Sequence, residues 1–250
     1  MSATIVDLAV RKYLRIEELP KEQIFGIFST QDYELTKLDK ADEELLPYER
    51  KVIEALFGGR STVRLSDLKG KFHEDLRKVK DELYRDAVKA HRFFPQDPER
   101  VRLVYRLVGL GVVVTGGVGI GVLGAAFGAA LIAIPVLLGG LALLLLGGAM
   151  PRRTARGREM YRRCLGFRLY MVTAEQDRQR FAEEANIFDA YLPYAIVCRC
   201  VQIWATTFEK LGLEERQVDW YIGPTGFVPL HFAMGVRDFS SSVSNAMAFN

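Results

Sequence analysis

The sequence predicts a mainly α protein with small β wings: winged-helix-like cytoplasmic units, a two-helix transmembrane hairpin and a C-terminal helical domain. Three observations carry this expectation. From Leu107 to Met150 there are 44 residues without one Asp, Glu, Lys, Arg or His. Ahead of that segment, helical and strand-like spacings alternate twice. Behind it, apolar residues recur at three- and four-residue steps, most clearly from Tyr194 to Leu211.

Residues 1–40 read as a partial winged-helix-like unit. Ile5, Leu8, Ala9 and Leu14 keep a helical spacing, and "LRIEELP" and "DYELTKL" then alternate like strands. Helix, strand, long loop, strand is the back end of a winged helix, without the two helices that should precede it. Either another chain completes the module, or this chain is the latter part of something longer. Residues 45–98 read as a second such unit. Pro47 suits the first position of a helix running through Leu56 and Phe57, and Gly58-Gly59 end it. "TVRL" is a short strand, Ser66 caps a helix over Leu68–Phe72, and a longer helix turns Leu76, Val79, Leu83 and Val88 inward. "RFFPQDP" follows as a truncated wing or exit strand. The long helix carries Glu74, Asp75, Asp81, Glu82 and Asp86 among its basic residues, and the first unit's strand carries Glu17 and Glu18. Binding phosphates needs a net positive face. These modules are therefore expected to contact protein, with a membrane-tethered winged-helix DNA-binding regulator as the alternative.

A bilayer core takes about 20 apolar residues per helix, so the charge-free segment holds two spans. The hairpin is placed at 104–150, with spans near 107–126 and 129–149 and a turn at 124–128. Twelve of the chain's 22 glycines fall between Leu107 and Met150. Gly117 with Gly121, and Gly124 with Gly128, form two G-x-x-x-G pairs that suit close packing of the arms, or pairing with a second copy in a homo-oligomer. Pro135 is expected to kink the second arm. Arg100, Arg102 and Arg106 precede the segment; Arg152, Arg153, Arg156, Arg158, Arg162 and Arg163 follow it, opposed only by Glu159. Positive flanks stay on the cytoplasmic side, so both termini are expected there and the chain in the inner membrane. The six arginines that follow set topology or meet anionic lipid head groups, at about 1 kcal/mol each near the surface.

Residues 151–240 read as a cytoplasmic helical domain and 241–250 as a disordered tail. Thr173 and Gln176 suit a capping box, and a helix is expected to start at Pro193 and stop at Gly212. "WYIGPTGFVPLHF" reads as a turn-rich aromatic loop. Cys164, Cys198 and Cys200 lack metal-ligand spacing and read as small core hydrophobes. His73, His91 and His231 lie far apart, no serine sits in a nucleophile elbow, and the glycines follow no strand. No catalytic residue, cofactor or metal is expected, and hence no enzyme. The expected partners are the bilayer and an unidentified protein. The N-terminus lacks a signal peptide's apolar core.

"ATIVDLAVRKYLRIEE", "DYELTKL", "LLPYERKVIEALFGG", "LSDLKGKF", "RRTARGREM", "GFRLYMVTAEQDR", "LPYAI" and "WYIG" resemble, in that order, the latter part of the YciQ-like predicted bacterial membrane proteins. That resemblance implies cytoplasmic helical modules and a membrane hairpin, preceded in the family by an extracytoplasmic β-rich domain that this chain lacks. It implies a fragment or a late translation start. It assigns no activity and no catalytic residue.

Overall fold

Strand alternation builds the centre of the structure, a computed structural model that describes residues 1–20, 22–24, 28–68, 72–127, 130–173, 187–210, 218–223 and 228–247. After helix α1 (Ser2–Val10), strand β1 (Leu14–Glu18) buries Leu14 and Ile16 and leaves Arg15 and Glu17 half-exposed. A small separate hairpin follows, β2 (Glu22–Ile24) with β3 (Phe28–Thr30). Strand β4 (Tyr33–Lys37) then returns antiparallel to β1, placing Leu35 opposite Ile16. Helix α2 (Pro47–Phe57) begins with Pro47 and ends at Gly58, whose φ of +52° is the left-handed conformation that glycine takes without strain. Glu49 reaches back to the Leu46 N–H at 3.0 Å and also pairs, at 3.0 Å, with Arg11. Strand β5 (Thr62–Arg64) joins β4, placing Val63 opposite Leu35. Helix α3 (His73–Arg85) follows and continues into a π turn over Asp86–Ala90.

The expected division at 1–40 and 45–98 is not how the chain folds. A three-residue strand cannot form a sheet alone, and β5 completes the sheet that β1 and β4 began. The sheet order is β5-β4-β1-β6, and the fourth strand comes from the far end of the chain. Helices α4 (Pro98–Phe127), α5 (Ile134–Leu146), α6 (Ala155–Thr173), α7 (Ile187–Val197) and α8 (Val201–Lys210) lead to β6 (Tyr221–Ile222), and α9 (Pro229–Met247) comes last. Two units result, Met1–Glu82 with Arg163–Asn250, and Leu83–Arg162.

In the first unit, β6 runs parallel to β1 with Tyr221 opposite Ile16. Residues 151–240 are thus no separate domain: Phe188, Leu192, Trp204 and Phe239 are buried in one core with Ile5, Leu8, Leu14 and Leu56. "WYIG" contributes a strand, and the expected tail from 241 is helical as far as Met247, with Val243 buried. Pro193 lies inside α7, and the break falls at Cys198–Cys200, where Arg199 takes a φ of +55°. Cys200 is buried and Cys198 half-buried, but Cys164 is exposed and fills no core. The expected capping partner Gln176 and the stop at Gly212 lie outside the described residues.

In the second unit, α4 packs antiparallel against α5. The first arm runs one residue past its expected end, and residues 124–127 are helical where the turn was expected. Gly128 lies outside the described residues. A 3-10 turn over Ala130–Ala133 leads into α5, whose first turn holds Pro135, where a missing N–H costs nothing and no kink is needed.

Candidate functional site

Glycine contacts fix how the hairpin closes. A Cβ on Gly116 would meet the Leu137 backbone N at 2.8 Å, and one on Gly140 the Val113 N at 2.7 Å. A Cβ on Gly109 would meet the Leu144 N at 3.0 Å. These three glycines permit the backbone approach. Gly117 and Gly121 do not: an added Cβ meets nothing within 4 Å on either. Within one chain, the face that carries them is turned away from α5. Thr115, the segment's hydroxyl, donates to the Gly111 carbonyl at 2.8 Å, which satisfies it within its own helix.

The arms meet at a base built by the chain on either side of them. The Thr154 N–H donates to the Phe93 carbonyl at 3.0 Å, and its Oγ1 donates to the Arg92 carbonyl at 2.7 Å. The same Oγ1 accepts from the Gly157 N–H at 3.0 Å, capping the start of α6. Gly157 packs against Phe93 so closely that a Cβ would lie 2.2 Å from the Phe93 carbonyl oxygen. Arg92 adopts a φ of +53° at this junction. Together these contacts explain the "RRTARG" stretch: Thr154 ties the segment before α4 to the segment after α5, and Gly157 lets them touch.

Beside this junction lies a cavity of about 440 Å³. Arg102 from the start of α4, Arg153 just before α6 and Arg158 from its first turn line it, with Tyr84 and Phe94 as aromatic walls. No Asp or Glu is among its described lining. Arg102 and Arg158 make no ion pair or hydrogen bond among the described residues, and Arg153 lays its guanidinium 3.9 Å over the ring of Tyr161. Three like charges sharing one concavity repel one another unless an anion joins them, and the positive N-terminal end of α6 adds to their field. Chemically, the arrangement offers forked donors to a phosphate or carboxylate.

Of the six arginines singled out from sequence, Arg153 and Arg158 line the cavity, while Arg152, Arg156, Arg162 and Arg163 are exposed outside it. Sequence reasoning counted Arg102 only as a topology signal and missed Tyr84 and Phe94; the aromatics beside the basic flanks were the available clue. A second cavity, of about 220 Å³ in the first unit, is lined by Glu18, Tyr33, Tyr221, His231 and Asp238. There the Tyr221 hydroxyl donates to Glu18, and burial first, then that carboxylate, holds the phenol protonated well above its usual range. Burial also raises the Tyr33 phenol, with Glu18 and Asp238 adding to it. His231, dismissed as isolated, joins this cluster through the fold. The thiols of Cys198 and Cys200 are pushed up by burial. No group of three metal-binding side chains occurs among the described residues.

The family model described as "Predicted membrane protein (DUF2207) C-terminal domain" matches residues 1–200. The chain belongs to this family. The match takes in the whole hairpin and the arginine cavity, and the description assigns the DUF2207 domain no activity. Its membrane character agrees with α4, which over Pro98–Ala126 is long and apolar enough to cross a bilayer; the shorter apolar stretch is Ile134–Ala149. No curated protein and no solved structure matches this chain.

Proposed function

We propose that this chain is a membrane-anchored protein-interaction module without a catalytic site, held in the inner membrane by a hairpin that crosses it twice. One observation carries the reading: the two packed helices turn Leu107, Leu110, Val114, Val118, Leu138 and Leu145 outward, and no charge interrupts 107–150. Such a surface is costly in water and suits hydrocarbon. Both ends of the hairpin are basic, which supports a cytoplasmic position for both flanks. The motif resemblance to YciQ-like proteins supports placing this chain after an outer-face domain in a longer protein.

On the first unit, Tyr194 and Val197 stand one turn apart on α7, 53% and 70% exposed, and suit a protein contact. Against DNA binding by the long helix α3, Lys78 is paired with Asp75, and Glu82 with Lys51. The test is topological. Alkaline phosphatase fused after Phe127 is expected to be active, and fused after Thr173 inactive, with the full chain resisting carbonate extraction. Equal activity of both fusions would overturn the double crossing. A photo-crosslinker at Val197 is expected to give discrete adducts that survive nuclease; adducts that nuclease removes would favour the regulator.

A further inference from the structure

We propose that the cavity lined by Arg102, Arg153 and Arg158 is a binding site for a phosphoryl anion, the phosphodiester of an acidic phospholipid head group or a free phosphate. The inference rests on the membrane reading above only for the lipid as source; the anion site stands on its own geometry.

Three features separate this cavity from a merely basic surface. The first is convergence without compensation. Elsewhere among the described residues several cations are paired with a carboxylate: Arg11 with Asp7 and Glu49, Lys51 with Glu82, Lys12 with Asp219. Around this cavity Arg102 and Arg158 have none among the described residues, and the described lining includes no acidic side chain. An anion that accepts from both guanidinium forks removes the repulsion and makes charge-assisted hydrogen bonds.

The second feature is pre-organisation. The arginines come from both sides of the hairpin, and their backbones are fixed before any ligand arrives. Thr154 fastens the Arg153 segment to Arg92 and Phe93, and the close contact of Gly157 with Phe93 fixes α6 and with it Arg158. Arg153 is further held against Tyr161. A site assembled on tied backbone loses less entropy on binding than six free surface arginines would.

The third feature is place and size. Arg102 lies five residues before the charge-free segment and Gly148 and Ala149 lie at its other end, so the cavity opens where the apolar arms stop. Its volume of about 440 Å³ accommodates a glycerophosphate-sized group, and Tyr84 and Phe94 supply apolar walls for the carbon atoms beside the phosphate.

The experiment uses the full chain purified in a neutral detergent. Phosphatidylglycerol, phosphatidylcholine and inorganic phosphate are titrated separately, with thermal unfolding and native mass spectrometry as readouts. Phosphatidylglycerol is expected to bind and raise the melting temperature, and phosphatidylcholine to do neither. The double variant Arg102→Gln/Arg158→Gln is expected to weaken binding by about tenfold or more for each arginine lost. The control Arg152→Gln/Arg156→Gln removes the same charge from outside the cavity and should change binding less than about twofold. Arg102→Lys/Arg158→Lys, which keeps charge and fold but removes the forks, should fall between them. Inorganic phosphate stabilising the chain as well as the lipid, and competing with it, supports the site and assigns its ligand to solution; phosphate without effect beside a binding lipid supports the site and assigns it to the membrane. Equal losses in the cavity and control variants, or no binding of either anion, would overturn the site. Carbonate extraction of the same variants separates this from failure of the anchor, which would release all of them from membranes, wild type included.

Discussion

Gly157 is the residue on which the base of the hairpin turns, because its missing side chain is what lets α6 lie against Phe93. Gly157→Ala would drive a methyl group to 2.2 Å from a backbone oxygen, and backbone cannot swing aside as a flexible side chain can. A loss of about 1–3 kcal/mol is expected, the range for overpacking a tight contact. Gly166 on the same helix is exposed with nothing within 4 Å, so Gly166→Ala should instead gain about 0.5–1 kcal/mol from helix propensity. Melting of both variants in detergent checks this, and equal shifts would remove Gly157 from its role. A second prediction concerns Tyr48. Burial, then the adjacent Glu49 carboxylate, pushes its phenol up to about 12 from 10.0. A proton held more tightly when folded stabilises fully below the unfolded pKa, and that contribution disappears as pH climbs from 10.0 toward about 12. Tyr33 and Tyr221 shift the same way. Stability should therefore fall through this window, and Tyr48→Phe should flatten the fall; a flat alkaline profile for the parent chain would contradict it. Residue-scale reading of the sequence found the arginines because charge is visible without a fold. It missed Tyr84, Phe94 and the Glu18 cluster because their meaning arises only from neighbours that the fold supplies.

Helices and strands were legible wherever a period repeats often enough to count. The helix at Pro47–Phe57, the strand at Thr62–Arg64 and the two apolar arms all follow from local pattern and caps. Rotational phase is a different matter. Which face of α4 meets α5 depends on how the connection delivers the second arm, and no spacing within one arm reports that. Gly117 and Gly121 formed the conspicuous pair, yet the arms touch through Gly109 and Gly116, seven residues and about two turns apart, with Gly140 opposite. Gly116→Ala and Gly140→Ala should each destabilise the hairpin by about 1–3 kcal/mol, since the atoms displaced are backbone. Gly117→Ala and Gly121→Ala should be neutral or mildly stabilising in a monomer. Unfolding of the four variants in detergent decides the matter. Loss confined to the Gly117 and Gly121 variants would return packing to that face, and a loss seen only where the chain self-associates would assign it to a second copy.

At the scale of the whole molecule, the least legible feature is the one that holds the first unit together. Strand β6 is two residues long, too short for alternation to register, and its partner β1 lies 205 residues earlier at the Ile16–Tyr221 pair. Nothing local announces that pairing, and so the C-terminal helices read as a domain of their own. They are not one: the core that contains Ile5, Leu14 and Leu35 also contains Trp204, Trp220, Phe232 and Phe239. The family match ends at residue 200, ahead of all four of these aromatic residues and of α9. A chain cut after Cys200 would keep the whole matched span yet lose an edge strand and a substantial part of its buried aromatic surface. Each such large side chain contributes about 1.5–3 kcal/mol by burial, and four of them amount to as much as a typical domain's entire stability. The same cut leaves the contacts between α4 and α5 intact, since both arms lie within Leu83–Arg162. The 1–200 chain should therefore still insert in membranes and resist carbonate extraction. Limited proteolysis should cleave it rapidly within residues 1–82, where the full chain is protected. Protection of that segment in the shortened chain would mean that the sheet closes without β6, and that the C-terminal helices cover the core without being needed to form it.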